Sequence, residues 1–177
     1  MKVIFLDIDG VINDHKYRES VDDYYENPID ESKLELLRYI VDTTDNAVIV
    51  LTSTWRMYWN EGKIQLQEEG EKLNEIFKKH GLKIYAKTEN FGEDRDYEIL
   101  MWLAKNKVDS YVILDDMDFG WSPENRKRFV KTDDATGLDE RTTEKAIGVL
   151  MNECYADITT VDDNWLERTK LYTIGGF

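Results

Sequence analysis

The first ten residues, MKVIFLDIDG, carry two carboxylates two positions apart, Asp7 and Asp9, where an apolar run gives way to Gly10. Residues i and i+2 of an extended chain project to the same side, so both acids can converge on one small volume. Gly10 then lets the backbone reverse sharply. Spacing alone carries little weight in a chain with 20 aspartates, where three such pairs occur, at 7/9, 94/96 and 116/118. Position separates them: Asp7 and Asp9 sit at the carboxyl end of a strand-like run, the edge at which open α/β sheets bind ligands. The competing reading is a solvated strand end that uses acids as turn formers.

Two further apolar runs end in chemistry of the same kind. AVIVL, residues 47–51, is followed by Thr52, Ser53, Thr54, Trp55 and Arg56. Short hydroxyls there can donate to a phosphoryl oxygen, and Arg56 can add a charge-assisted contact; alternatively, the hydroxyls only cap the next helix. SYVIL, residues 110–114, is followed by Asp115 and Asp116, with Asp118 beyond. Acids, hydroxyls and acids again at the same end of three strands form an oxygen-only donor set. Mg²⁺ favours such donors, with water and substrate completing its octahedron.

These groups need a parallel sheet to bring them together. KVIFL, AVIVL and SYVIL are near-continuous and rich in Val and Ile, as strands buried on both faces are. Weaker strand signals lie at 82–85 and 128–131. Between them, 30–42 places Leu34, Leu37 and Val41 on one helical face, with Asp30 as N-cap. The stretch 66–79 does so with Leu73, Ile76 and Phe77, and Gly81 follows as a stop. Residues 94–106 align Ile99, Trp102 and Leu103, and 139–151 align Ile147, Leu150 and Met151. This alternation predicts an α/β three-layer sandwich around a central parallel sheet. With no repeat, no low-complexity tract and only two prolines, residues 1–177 read as one domain. Within it, 11–28 forms a flap segment and 153–177 a C-terminal extension; 22–27 and the tail show no period.

Composition narrows the functional classes. The net charge of −14 comes from 37 acidic and 23 basic residues. A protein that tracks a phosphate backbone usually carries a basic stripe, and none is visible here, so extended nucleic-acid binding is disfavoured. Gripping one terminal phosphate is not. No apolar run approaches the roughly 18 residues of a membrane span, and Asp7 interrupts the N-terminal one before a signal-peptide core forms. The single cysteine, Cys154, cannot form an internal disulfide, which fits a reducing cytoplasm.

The residues also spell a family. FLDIDGVIN resembles motif I of the haloacid dehalogenase-like (HAD) superfamily, DxDGV. VIVLTSTWR resembles its motif II, and VILDDMD the paired-acid form of motif IV. The match extends from about residue 2 to 150. It is similar above all to small, cap-poor HAD domains of nucleic-acid repair proteins, through LTSTWR (51–56), RDYEI (95–99) with Trp102-Leu103, and Lys131-Thr132 before Gly137-Leu138. Lys16 and Arg18, just past motif I, resemble the basic residues of polynucleotide 3′-phosphatase domains.

The resemblance implies a HAD-like Rossmannoid fold without a large cap and a Mg²⁺-dependent phosphatase. Asp7 would be the nucleophile that becomes an aspartyl-phosphate, and Asp9 the acid and base. Mg²⁺ would be held by Asp7, the Asp9 carbonyl and Asp115, with Asp116 in support. Thr52 would neutralise phosphoryl charge together with a motif III cation. For that cation Lys87, in YAKTEN, stands first and Arg95 is the substitute. Gly10, Ser53, Arg56, Lys16 and Arg18 are the candidate substrate contacts.

Without a cap the site should be open. That favours phosphate on something large or protruding, such as a nucleic-acid end, a nucleotide or a phosphoprotein. Tyr17, Tyr24 and Tyr25 in the flap, beside Lys16 and Arg18, could stack on a base; equally, they could close the edge of the core. The rival functions are a non-catalytic phosphate-binding domain of the same fold, a phosphoacceptor receiver and a metal nuclease. A receiver is disfavoured because its acceptor aspartate lies on a middle strand that here ends in Thr52.

Overall fold

In the computed structural model, residues 1–22, 28–59, 68–92 and 94–151 are described. In chain order the elements are β1 (Lys2–Leu6), α1 (His15–Ser20), α2 (Glu31–Thr43), β2 (Val48–Leu51), a 3₁₀ turn (Thr54–Met57), α3 (Glu68–Lys79), β3 (Ile84–Lys87), α4 (Arg95–Lys105), β4 (Ser110–Asp115), α5 (Pro123–Arg126), β5 (Phe129–Lys131) and α6 (Glu140–Leu150). The expected extension 153–177 and the tyrosines Tyr24 and Tyr25 lie outside the described residues.

The five strands form one sheet in the order β3-β2-β1-β4-β5, and every pairing is parallel. β1 takes the centre because both of its faces are apolar, and Val3 to Leu6 are wholly shielded from solvent. Alternation divides those side chains between two layers. Ile4 and Leu6 join Leu34, Leu37 and Ile40 of α2, Leu73 and Phe77 of α3, and Ala146 and Leu150 of α6. Val3 and Phe5 face the other way, onto Ile99 and Trp102 of α4 and Trp121. Phe5 meets the edges of Trp102 and Tyr111 at 5.4 and 5.7 Å. The result is the α/β sandwich that the sequence pattern predicts.

Local chemistry sets the helix ends. Asp30 accepts from the Ser32 N–H at 3.0 Å, and Asp94 caps α4 by accepting from the Tyr97 N–H. Asp139 and Thr142 form a reciprocal capping box on α6. α3 ends in a Schellman closure, Leu82 N–H to the Phe77 carbonyl and Gly81 N–H to that of Lys78, as αL glycines allow. That closure uses Leu82, so β3 begins at Ile84 and not at 82 as the apolar run suggests. The flap contains one short helix, α1, which Asp14 caps through the Tyr17 N–H at 2.8 Å. Among the described residues no cap domain stands over the sheet, and no helix is long and apolar enough to cross a membrane.

Leu37 is fully buried where α2 lies on the sheet. Leu37→Ala should lower the unfolding free energy by about 2–5 kcal/mol, read from urea denaturation; a loss well under 1 kcal/mol would contradict this packing.

Candidate active site

The register decides which residues meet. Leu6 lies beside Leu51 of β2 and Leu114 of β4, so Asp7, Thr52 and Asp115 leave the sheet at one level. The backbone continues the ladder one step further: Asp7 N–H donates to the Leu114 carbonyl, Thr52 N–H to that of Leu6, and Thr132 N–H to that of Asp115. Strand order also reverses at β1, because the chain builds outward to β3 and then crosses back to β4. Such a reversal opens a crevice at the carboxyl edge, and Asp7 and Asp115 flank it.

Asp7 and Asp115 are buried, and Asp116 is half-buried. One carboxylate oxygen from each lies within 4.8 Å of the others. Arg95, the first residue of α4, reaches between two of them: the same Nη1 donates to Asp7 at 2.8 Å and to Asp115 at 2.5 Å. The Phe119 ring covers the guanidinium at 4.7 Å. Gly10 has φ +75°, and a Cβ there would lie 2.5 Å from Cγ of Asp116. The loop after β1 therefore closes onto Asp116 only because position 10 has no side chain. The Thr132 hydroxyl ties the same loop down by donating to the Gly10 carbonyl at 2.8 Å.

Burial penalises the ionised carboxylates. Desolvation, with the negative fields of Asp115 and Asp9, pushes Asp7 up to about 7 against the opposing pull of Arg95. Asp115 is raised by burial against the same guanidinium. Asp116 is raised by burial and by Asp115. One cation facing three carboxylates leaves negative charge in excess. A hard divalent ion fits this donor set, since Mg²⁺ takes carboxylate oxygens and would favour the ionised forms that burial penalises.

The other candidate residues fall into two groups. Thr52 is fully buried at the cluster's level, and its Oγ1 has no hydrogen-bond partner among the described residues. The Asp9 carboxylate is not one of the three that converge: its oxygens accept from Asn13 Nδ2 at 2.9 Å and Trp55 Nε1 at 3.2 Å, and its negative field still reaches Asp7. Ser53 Oγ accepts from the Trp55 N–H and caps the 3₁₀ turn.

The remaining cations are engaged elsewhere. Arg56, expected to touch substrate, is buried against Glu98 and the Thr52 carbonyl, which offset the cost of taking its charge out of water. Lys87, expected near the phosphate, donates to the carbonyls of Arg56 and Trp59 at 2.8 and 2.5 Å. Its position at the last residue of β3 leaves it beside the 3₁₀ turn. Arg18 holds the Asn13 carbonyl and Asp134, while Lys16 is exposed on α1.

Asn13, Trp55, Glu98 and Thr132 were not singled out as site residues from the sequence, although their contacts orient the groups that were. For Glu98 the available signal was its place one helical turn beyond Arg95. Asn13 and Thr132 fall within the segments that carry the family resemblance, but their contacts with Asp9 and with the Gly10 carbonyl exist only in the fold.

Over residues 3–143 the chain matches the family described as the HAD domain in Swiss Army Knife RNA repair proteins. No curated protein and no solved structure gives a significant match.

The elevated Asp7 has a sign that can be tested. Its pKa rises from 3.8 to about 7 on folding of the metal-free protein, so it stabilises the fold fully below pH 3.8 and loses that contribution as pH climbs through about 7. Between pH 5 and pH 8 the melting temperature of metal-free wild type should fall relative to that of Asp7→Asn. Parallel profiles would show that Asp7 does not sit in this field.

Proposed function

The chain belongs to the family of HAD domains in Swiss Army Knife RNA repair proteins, and from that premise we propose that it is a Mg²⁺-dependent phosphomonoester hydrolase working through an aspartyl-phosphate. The observation that carries this reading is the convergence of Asp7, Asp115 and Asp116 within 4.8 Å, at a strand order reversal and level with Thr52, whose hydroxyl has no hydrogen-bond partner among the described residues.

The chemistry follows from the residues in place. An oxygen of Asp7 attacks phosphorus, and the bond to the leaving oxygen breaks as Asp9 supplies that oxygen with a proton. Asp9 then takes a proton from water, which attacks the phosphorylated Asp7, frees phosphate and restores the carboxylate. Thr52 Oγ1 donates to a phosphoryl oxygen, and with no acceptor for it among the described residues it gives up no bond to them in doing so. Arg95 is favoured over Lys87 as the neutralising cation, because its guanidinium already lies against Asp7 whereas the Lys87 ammonium is held by two carbonyls. Asp7, Asp115, Asp116 and the Asp9 carbonyl would hold Mg²⁺, which would supply the positive charge that lets a carboxylate approach a phosphate dianion.

For the substrate, nucleotides and nucleic-acid ends stand first. The family is one of RNA repair, and the short α1 is the one described element between β1 and α2. The lack of a cap domain among the described residues suits a terminal phosphate on a bulky molecule, while the net charge of −14 disfavours tracking along a polyanion. Phosphorylated RNA and DNA ends, nucleotides, phosphopeptides and sugar phosphates, compared under equal Mg²⁺, form the discriminating panel.

Asp7→Asn should reduce Mg²⁺-dependent hydrolysis of an aryl phosphate to background while circular dichroism and cooperative melting persist. Undiminished turnover would remove Asp7 as nucleophile. Thr52→Ala should lower kcat by roughly 10²–10³; a change under twofold would dissociate this hydroxyl from the reacting phosphate.

A further inference from the structure

Arg56 and Glu98 are oppositely charged and almost wholly withdrawn from water, at 5% and 1% exposure. Taking two ions out of water is costly, and a buried ion pair often adds no stability over apolar side chains of like size. What such a pair does provide is geometry, and here the geometry is specific. Arg56 sits in the turn after β2 and Glu98 on α4. The guanidinium donates one hydrogen bond to the carboxylate, Nη2 to Oε1 at 2.9 Å, while Nη1 stands 2.9 Å from Oε2 as an ion-pair contact without hydrogen-bond geometry.

Each partner also grips backbone at the site. Arg56 Nη1 donates to the Thr52 carbonyl, while the Thr52 N–H is fixed on Leu6. With its N–H and carbonyl both held, the β-branched Thr52 has little freedom left in aiming its hydroxyl. Glu98 Oε1 additionally accepts from the Phe91 N–H at 3.0 Å, anchoring the loop that leads into α4. Three residues earlier on that helix, and hence on the same side, Arg95 reaches to Asp7 and Asp115. Lys87 secures the near end by donating to the Arg56 carbonyl.

We propose that the Arg56–Glu98 pair is a buried strut that sets the separation between the Thr52 hydroxyl and the Arg95 guanidinium. Its two ends are thus positioning residues for the groups that receive charge in phosphoryl transfer. This rests on the phosphatase reading above. A strut of this kind acts on the transition state, because the two donors must match a phosphoryl group in flight to within a fraction of an ångström. Its loss should therefore fall on kcat and leave KM nearly unchanged.

The test is a variant that removes the charges without stranding one of them. Arg56→Met combined with Glu98→Gln strands neither charge of the pair and keeps an amide oxygen for the Phe91 N–H. The expected result is a melting temperature and Mg²⁺-induced thermal shift close to wild type, KM for an aryl phosphate within twofold, and kcat lowered about 10- to 100-fold. In the same background Thr52→Ala should cost less than tenfold, because a misaimed hydroxyl has little left to lose. Wild-type kcat in the double variant, or a full Thr52→Ala penalty within it, overturns the strut while leaving the phosphatase reading intact. An inactive wild-type protein overturns both. Should the double variant not fold, Arg56→Lys keeps a charge opposite Glu98 but cannot span both acceptors. A kcat-selective loss there supports the strut, and unchanged kcat sinks it.

Discussion

Three carboxylates within 4.8 Å of one another, two of them buried, form an arrangement that folding alone disfavours. Like charges repel, and low polarity strengthens the repulsion. The protein offsets this with a guanidinium shared between Asp7 and Asp115, yet burial, with the neighbouring acids, still pushes Asp7 up to about 7. Much of the architecture follows from this crowding. A parallel sheet delivers both acids to one edge, a central β1 keeps them between two apolar layers, and α4 begins with Arg95 where the sheet's order reverses.

The strands were the most legible part of the sequence. KVIFL and SYVIL are buried on both faces, so their composition shows no alternation that could be misread, and the polar residues after them mark the productive edge. Helix caps were similarly plain at Asp30, because a short acceptor before an apolar stripe has a local cause. Boundaries that depend on a neighbouring element were less visible. β3 starts two residues late because Leu82 completes the closure of α3, and α1 is too short for a period to reveal.

The cations were harder to place than the acids. Arg56, Lys87 and Arg95 look alike in sequence as positive charges near strand ends, and their partners are distant: Glu98 lies 42 residues from Arg56, and Asp7 lies 88 from Arg95. Tertiary contact divides them into three different tasks. Arg95 stands among the acids, Arg56 joins β2 to α4, and Lys87 braces the backbone of the turn between them. A charge deep inside a fold is defined by what faces it, and a linear string does not contain that information.

The contact between Gly10 and Asp116 limits how this chain can vary. Position 10 combines a left-handed backbone with a carboxylate pressed onto its α-carbon, so even the smallest side chain has nowhere to go. The floor beneath the acids is in this sense frozen, and amino-acid replacement cannot adjust it in small steps. Room for variation lies instead at exposed positions such as Lys16 on α1 and Met117.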